Sequence, residues 1–351
     1  LISKLLKKCV LLVFPLLWAC QSSPKEEVVE EIEIEILATQ HNSNSSFRGI
    51  SVFDSNTVWI SGSKGTIIRS LDGGKNWESV PSPDLDSLDY RDVHAFSSSS
   101  AIISSAGFPA RVYRTEDAGE NWQLVYENLD SSAFLNSIHF IDSNNGLILG
   151  DRLGGYHFIL HTQDAGLSWN RVDSTELPSP LSIEHGFAAS GSCITFNSNG
   201  DYVIGLGGEK NRVILGSVGK QWKSFDVGLG DSLPTSGIYS ICSEMGMIMA
   251  VGGDYSKVDA KEHCYISTDQ GKTWSEGGLL NGYRSIVDHD QKNNIWIAAG
   301  SNGIEYSLSK GSDWRHLSDL EINTLQFDDL SGTAFMAGPK GKVFTLKVNI
   351  R

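Results

Sequence analysis

An eight-residue pattern, Ser/Thr-x-Asp-x-Gly-x-x-Trp, keeps returning along this chain, and no other feature restricts its possible folds so strongly. It reads SLDGGKNW at 70–77, TEDAGENW at 115–122, TQDAGLSW at 162–169 and STDQGKTW at 267–274. Two decayed copies, LGSVGKQW and SLSKGSDW, end at Trp222 and Trp314, so successive tryptophans stand 40 to 53 residues apart. A unit of that length that cannot bury its own hydrophobic face must stack on copies of itself, and the interval is that of one propeller blade. Within each octet the chemistry is that of a turn. Asp72, Asp117, Asp164 and Asp269 accept hydrogen bonds from turn amides, the glycine takes a positive φ, and Trp77, Trp122, Trp169 and Trp274 fill the space beside the next strand. These are structural roles and not catalytic ones.

The strands around the octets repeat as well. In the first copy FRGISVF (47–53) reads as inner strand A, TVWISGS (57–63) as B, GTIIRS (65–70) as C and WESV (77–80) as D. Strand A recurs as YRDVHAF, LNSIHFI, GSCITF, IYSICS, YRSIVDH and INTLQF. Seven A strands against six octets predict an all-β, seven-bladed β-propeller whose last blade, ending in GKVFTLKV (341–348), lacks strand D. IEIEIL (32–37) alternates apolar and acidic residues with period two and is expected to supply it, which would hide an otherwise open sheet edge. The alternative is an acidic amphipathic helix.

Residues 1–19 form a separate object. Lys4, Lys7 and Lys8 precede an apolar run from Cys9 to Ala19, the layout of an export signal and too short to cross a bilayer comfortably. Leu17, Trp18, Ala19 and Cys20 resemble a bacterial lipobox, which implies acylation of Cys20; an ordinary cleaved signal is the alternative. Residues 20–31 are polar and acidic and read as a flexible tether, followed by the propeller over 32–351. The expected location is the cell envelope, lipid-anchored on the periplasmic or surface side of an outer membrane. A formal charge of −14, more negative still without the signal's lysines, argues against nucleic acid as a partner. Cys193, Cys242 and Cys264, odd in number and irregular in spacing, describe neither a disulfide framework nor a zinc site, and no cofactor or metal motif is present.

If strand A descends the central channel from an upper face, the octets lie on the lower face and function belongs among the upper loops. The A strands begin with Arg48, Arg91, Asn136, Gly191, Tyr239, Arg284 and Asn323 at matching positions. Arg48, Arg91, Asn136, Arg284 and Asn323 are thereby expected around the channel mouth as ligand or partner contacts; pairing with neighbouring acids is the alternative. Long loops at 150–158, 252–263 and 174–191 add Asp151 and Arg152 to the binding set, with Glu184, Asp254 and Tyr255 as candidates for catalysis. GLGG at 205–208 sits at a strand end without a following helix and is no dinucleotide loop. His94 and His139 fall inside A strands and are expected to pack between blades.

The octets resemble the Asp-box, or BNR, repeat. Sialidases carry such boxes, and FRGI at 47–50 is faintly similar to the motif that supplies one of their carboxylate-clamping arginines, but no aspartate and tyrosine–glutamate set can be matched. A broader resemblance, over residues 47–346, is to the photosystem II assembly factors of the Ycf48 and HCF136 type, carried by FRGISVFDSNTVWISGSKGTIIRSLDGGKNW at 47–77. GFAASGSCI (186–194) and VGGDY (251–255) resemble non-photosynthetic bacterial members, often labelled oxidoreductases. The resemblance implies a partner-protein surface, with Arg48, Arg91 and Arg284 in that role. Two functions stay open: a monomeric module that binds an acidic peptide or envelope protein through its upper face, and an envelope enzyme with a site over the channel.

Overall fold

The computed structural model describes residues 32–83, 88–228 and 232–350, all of their regular structure being strand. The signal, Cys20 and the tether lie outside the described residues. Five four-stranded sheets and one nine-stranded sheet make up the architecture. In the first, Phe47–Val52, Val58–Gly62, Ile67–Ser70 and Glu78–Val80 follow one another as an antiparallel meander, close to the bounds the repeat predicts. The nine-stranded sheet contains two such meanders, from Ile194–Phe196 to Lys223–Asp226 and from Ser236–Glu244 to Ser275–Leu280, joined by the single pair Gly207–Gly237. Neither of those glycines has room for a side chain, because a Cβ on either would lie about 2.5 Å from the other's Cα.

IEIEIL belongs to a longer strand, Ile32–Gln40, antiparallel to Lys342–Ile350 with Ile34 opposite Val348 and Ile36 opposite Leu346. Its alternation is explained by burial: Ile34 and Ile36 pack on the core while Glu33 and Glu35 face solvent. The chain therefore enters this sheet at the end where Lys342–Ile350 finishes, which is the octet face, and reaches the opposite face at Gln40.

Hydrophobic cores lie between successive sheets. Trp59 and Ile67 meet Tyr90, Val93 and Ile103; Ile295 and Ile297 meet Leu325 and Phe327. Phe47, Ile60 and Ile68 of the first sheet meet Phe335 and Val343 of the last. Since face-to-face sheets pack about 10 Å apart, side chains on both faces of each meander are buried, which accounts for all-buried strands such as Val58–Gly62 and Tyr202–Gly208.

The octets hold their hairpins as their composition demands. The Gly74 amide donates to Ser70 Oγ at 2.9 Å and the Asn76 amide to Asp72 Oδ1 at 2.9 Å, while Trp77 Nε1 donates to the Gly74 carbonyl at 3.1 Å. The same set recurs around Asp164 and Asp269. Asp117 keeps its turn bonds, but Trp122 reaches across to the Pro81 carbonyl at 2.9 Å. In the decayed copy ending at Trp314, Ser309 replaces the aspartate and accepts from the Asp313 amide at 2.9 Å. In all six octets the glycine φ lies between 79° and 89°, conformations that a side chain would strain.

Inner strands are also bonded to one another, by a different residue at each step. Ser51 accepts from the Ala95 amide, Asp92 from Ile138, Ser240 from Val287, Asp288 from Phe327, and Gln326 from Val52, at 2.6 to 3.0 Å. Asn323 Nδ2 adds a bond to the Phe47 carbonyl at 2.8 Å.

The fourth copy departs from expectation. GSCITF does not form a full inner strand: only Ile194–Phe196 pairs, and residues 186–192 leave the sheet and run across the channel. Their bonds show the path. Arg91 Nη1 donates to the Ala188 carbonyl, Ser137 Oγ to that of Gly191, and Thr324 Oγ1 to that of Ser190. Ser190 Oγ donates to the Ser285 carbonyl at 2.7 Å and Ser192 Oγ to Ser240 Oγ at 2.7 Å. Gly191 has φ +76°, and a Cβ there would come within 2.3 Å of Asp92 Oδ1.

Candidate functional site

The crossing segment splits the channel into two cavities. The lower, about 420 Å³, opens toward the octets and is lined by the later parts of the inner strands, with His94, His139, Cys242, Glu244, Asp288 and Asp329 among its polar groups. His94 stacks on Phe140 at 4.5 Å and His139 tilts against Phe196 at 5.6 Å, and burial lowers their pKa values to about 3 and about 4. Both are neutral packing groups. Asp288 is half-buried and accepts from the Phe327 amide and the Cys242 thiol, and desolvation pushes its carboxyl up to about 7.

The upper cavity, about 630 Å³, is the channel mouth, and five of the predicted binding residues line it: Arg48, Arg91, Asn136, Asp151 and Asn323. Arg48, Arg91, Asn136 and Asn323 stand there because strand A starts at this face, and Asp151 because the strand Gly146–Leu153 ends at it. Asn136 Nδ2 donates to Asp151 Oδ1 at 2.9 Å; burial raises the Asp151 carboxyl above its ordinary value despite this bond. Asn323 is committed to Ser46 and Phe47. Arg91 is held by Asp89 at 2.6 Å and by the Ala188 carbonyl at 3.0 Å. Arg48 differs. It is half-buried, and its guanidinium makes no hydrogen bond or ion pair among the described residues. Desolvation, and after it repulsion from Arg91, lowers its pKa from the usual arginine value, against the weaker attraction of Asp89 and Tyr283.

Facing the arginines is an aromatic wall that the sequence reading largely missed. Phe187 stacks on Tyr239 with centroids 3.8 Å apart, Tyr283 meets Tyr239 edge-on at 4.7 Å, and the half-exposed Tyr255 stands at 6.5 Å. Burial raises the Tyr239 and Tyr283 phenols, so both remain protonated donors. The visible signal was the pair Tyr-Arg at the start of YRSIVDH, in which Tyr283 and not the arginine faces the cavity.

Arg284 does not reach the mouth. It is 1% exposed, with Nε and Nη2 on Glu305 Oε2 at 3.1 and 2.5 Å and Nη1 on Asn302 Oδ1 at 2.5 Å. Glu305, fully buried, answers that charge within the same sheet. Arg152 is exposed and bonds the Leu181 carbonyl at 2.7 Å, outside the cavity lining. Of the three groups considered for catalysis, Glu184 is buried in a fork with Arg212 and has His157 3.6 Å away. Asp254 is buried and accepts from the Ser256 amide and hydroxyl at 2.9 and 2.7 Å. Tyr255 alone lines the cavity, so the three are not assembled around one reacting centre. Among the described residues no three His, Cys, Asp or Glu side chains are grouped to hold a metal ion, and Cys193, Cys242 and Cys264 are free thiols. What the mouth offers chemically is a donor-rich pocket in which Arg48 and Arg91 stand with the carboxyls of Asp151 and Glu321, and which has an apolar aromatic side.

Comparison with known proteins agrees with this architecture. Residues 29–130 match the family described as photosynthesis system II assembly factor YCF48, and residues 265–276 match the BNR/Asp-box repeat. No curated protein sequence matches the chain. Among solved structures, YCF48 bound to D1 peptide is similar at TM-score 0.64 and 16% identity, covering 90% of this chain and 97% of that one. YCF48 from Cyanidioschyzon merolae follows at TM-score 0.61 and 16% identity, covering 89% and 98%. The WD40 β-propeller domain of Doa1 gives TM-score 0.61 at 11% identity, covering 90% and 97%. At such identities the likeness to these structures is one of fold, an all-β propeller.

Proposed function

Starting from a Ycf48-like Asp-box propeller, we propose that this chain is a seven-bladed, ring-closed binding module that takes a carboxylate-bearing segment of a partner protein into its upper mouth. Ring closure is supported by the Ile32–Gln40 strand beside Lys342–Ile350 and by the shared core between the first and last sheets. One observation carries the binding reading: Arg48 keeps a half-buried guanidinium beside Arg91 with no hydrogen bond or close ion pair, drawn only at longer range by Asp89 and Tyr283, at the edge of an aromatic wall. Leaving such a charge unanswered is costly, and an incoming carboxylate relieves both the desolvation and the repulsion between the two arginines. Phe187 and Tyr239 then supply apolar contact, the Tyr239 hydroxyl being already committed to the Thr235 carbonyl, and Tyr283 supplies a phenolic donor to the same segment. That a relative has been solved with a D1 peptide supports a peptide as the kind of ligand.

The lipobox-like Cys20 and the acidic residues 20–31 further suggest an envelope protein held by acyl chains, acting as a monomer. Because the described chain starts on the octet face, such an anchor would leave the mouth facing away from the membrane.

The test uses a fluorescent hexaglutamate peptide and its hexaglutamine counterpart at low ionic strength, read by anisotropy. The acidic peptide is expected to bind and to lose at least about tenfold in affinity in Arg48→Gln, since a charge-assisted bond contributes roughly 1.5–3 kcal/mol. Equal binding of both peptides, or no effect of Arg48→Gln, would overturn the reading. Arg284→Gln is not an equivalent probe, because it strands the buried Glu305.

A further inference from the structure

The crossing segment is anchored on its far side by the serine, threonine and arginine bonds described above; at its near end the Glu209 amide donates to the Ile183 carbonyl, Ser182 donates to the Glu209 carboxylate and His185 Nε2 meets the Pro234 carbonyl, and beside these lies a buried ion pair, Glu184–Arg212. Glu184 and Arg212 are 4% and 7% exposed. Arg212 Nε and Nη2 both donate to the Glu184 carboxylate, the second at 2.7 Å. The remaining valences are filled: the Leu181 amide donates to Glu184 Oε2 at 3.0 Å, and Arg212 donates to the Ser179 carbonyl at 2.8 Å and to Ser224 Oγ at 3.2 Å. Arg212 belongs to the strand Arg212–Gly216, whereas Glu184 begins the two-residue strand Glu184–His185 on the neighbouring Tyr202–Gly208. Two backbone pairs, Glu184–Gly208 and His185–Gly207, are all the ladder this strand has. So short a ladder has little hold of its own, and immediately after it come Gly186 and the residues that wall the mouth.

We propose that the Glu184–Arg212 pair is the positioning device of the upper mouth: it fixes the foot of the crossing segment, so that Phe187–Ala189 stand as one wall and Ser190–Ser192 as the floor. Removing the pair frees that foot, pulls the floor away from Ser137, Ser285 and Thr324, and joins the two cavities, while the surrounding meanders stay folded. This holds whatever ligand the mouth takes.

The chain contains its own reporters. Cys193 directly follows the floor, is fully buried and has its thiol pushed up to about 12 by desolvation, so it is inert to alkylation while the segment is seated. Cys264, equally buried, bonds the Gly311 carbonyl and lies against Trp314, away from the crossing segment.

The experiment is timed iodoacetamide labelling of the folded chain at pH 8, resolved by peptide mass spectrometry, for wild type, Arg212→Met and Glu184→Gln, each with a thermal melt by circular dichroism. Expected is a rise of at least about 100-fold in Cys193 labelling, because exposure returns the thiol toward its ordinary value near 8.5, with Cys264 unchanged and a single cooperative melt retained. A folded variant in which Cys193 stays as protected as Cys264 would overturn the proposal. So would Cys193 and Cys264 rising together, which would make the pair a general stabiliser. If Arg212→Met does not fold, the charge-neutral and nearly isosteric Glu184→Gln decides by the same two rates.

Discussion

The octet hairpins and the channel lining solve the same problem, satisfying polar groups where strands end, in opposite ways. In an octet, Asp72 meets a residue four positions on, at an exposed turn, and the same arrangement recurs at Asp117, Asp164 and Asp269. In the channel, acceptor and donor are 39 residues apart at Asp288 and 274 apart at Gln326, and the bonds from Ser51, Asp92 and Ser240 are buried. Local pairing can be copied as a motif. Long-range pairing is solved afresh at each joint, and the function we propose sits at the end of the channel where one charge was left unsolved.

The largest expected break in that comparison comes from Gly191. Gly191→Val places a branched side chain at φ +76° and against Asp92, and should cost about 3–5 kcal/mol in urea unfolding, summing left-handed strain and overpacking. Gly74→Ala in an octet has the same sign of φ but meets the Thr345 hydroxyl and the Phe335 ring at 2.9–3.1 Å, and should cost less. Equal losses would mean that the channel floor is no more constrained than a hairpin.

The second effect is a dependence on pH whose sign differs between the channel and the octets. Asp288 has a folded pKa of about 7, above its unfolded value near 3.9, so the folded state binds its proton more tightly. Stability from this group is complete below about pH 4 and declines as pH rises to 7; the neighbouring Glu244, also raised by burial, acts in the same direction. Asp288→Asn should flatten the curve by up to about 4 kcal/mol across that window, at about 1.4 kcal/mol per unit. A variant with an unchanged slope would show that this carboxyl is not protonated in the fold. The octet aspartates behave oppositely. Asp269, lowered to about 2 first by the Thr273 amide, contributes stability above pH 4 that is lost as pH falls toward 2.

The smallest effect separates intact from decayed octets. Asp269→Ala removes an acceptor of two turn amides and two hydroxyls and should cost about 1–2 kcal/mol. Ser309→Ala, in the copy ending at Trp314, removes an acceptor of one amide and should cost about 0.5–1 kcal/mol. Reversal of that order in chemical denaturation would mean that the octet is decoration and the tryptophan holds the hairpin.

The same contrast explains what the sequence disclosed. Strand bounds and hairpins were legible because their cause lies within eight or ten residues. Arg48 and Arg91 were found because they occupy one position in a repeat. Arg284 shares that position and is nonetheless buried, because the sixth copy carries Glu305 in strand C where the first carries Ile68 and the second Tyr113. That difference was visible once strands were aligned pair by pair. The crossing segment was not, since nothing in GFAASGS states which five distant strands its serines and carbonyls will meet.

The pairing of Ile32–Gln40 with Lys342–Ile350 also sets a schedule for biogenesis. The first strand of the domain to be synthesised waits for almost the last, so a nascent chain carries an orphan edge until some three hundred further residues have arrived. Its alternating glutamates keep that waiting strand soluble, and a product truncated before residue 342 never finds a mate for it. Full-length synthesis is thereby written into the architecture as a condition for maturity.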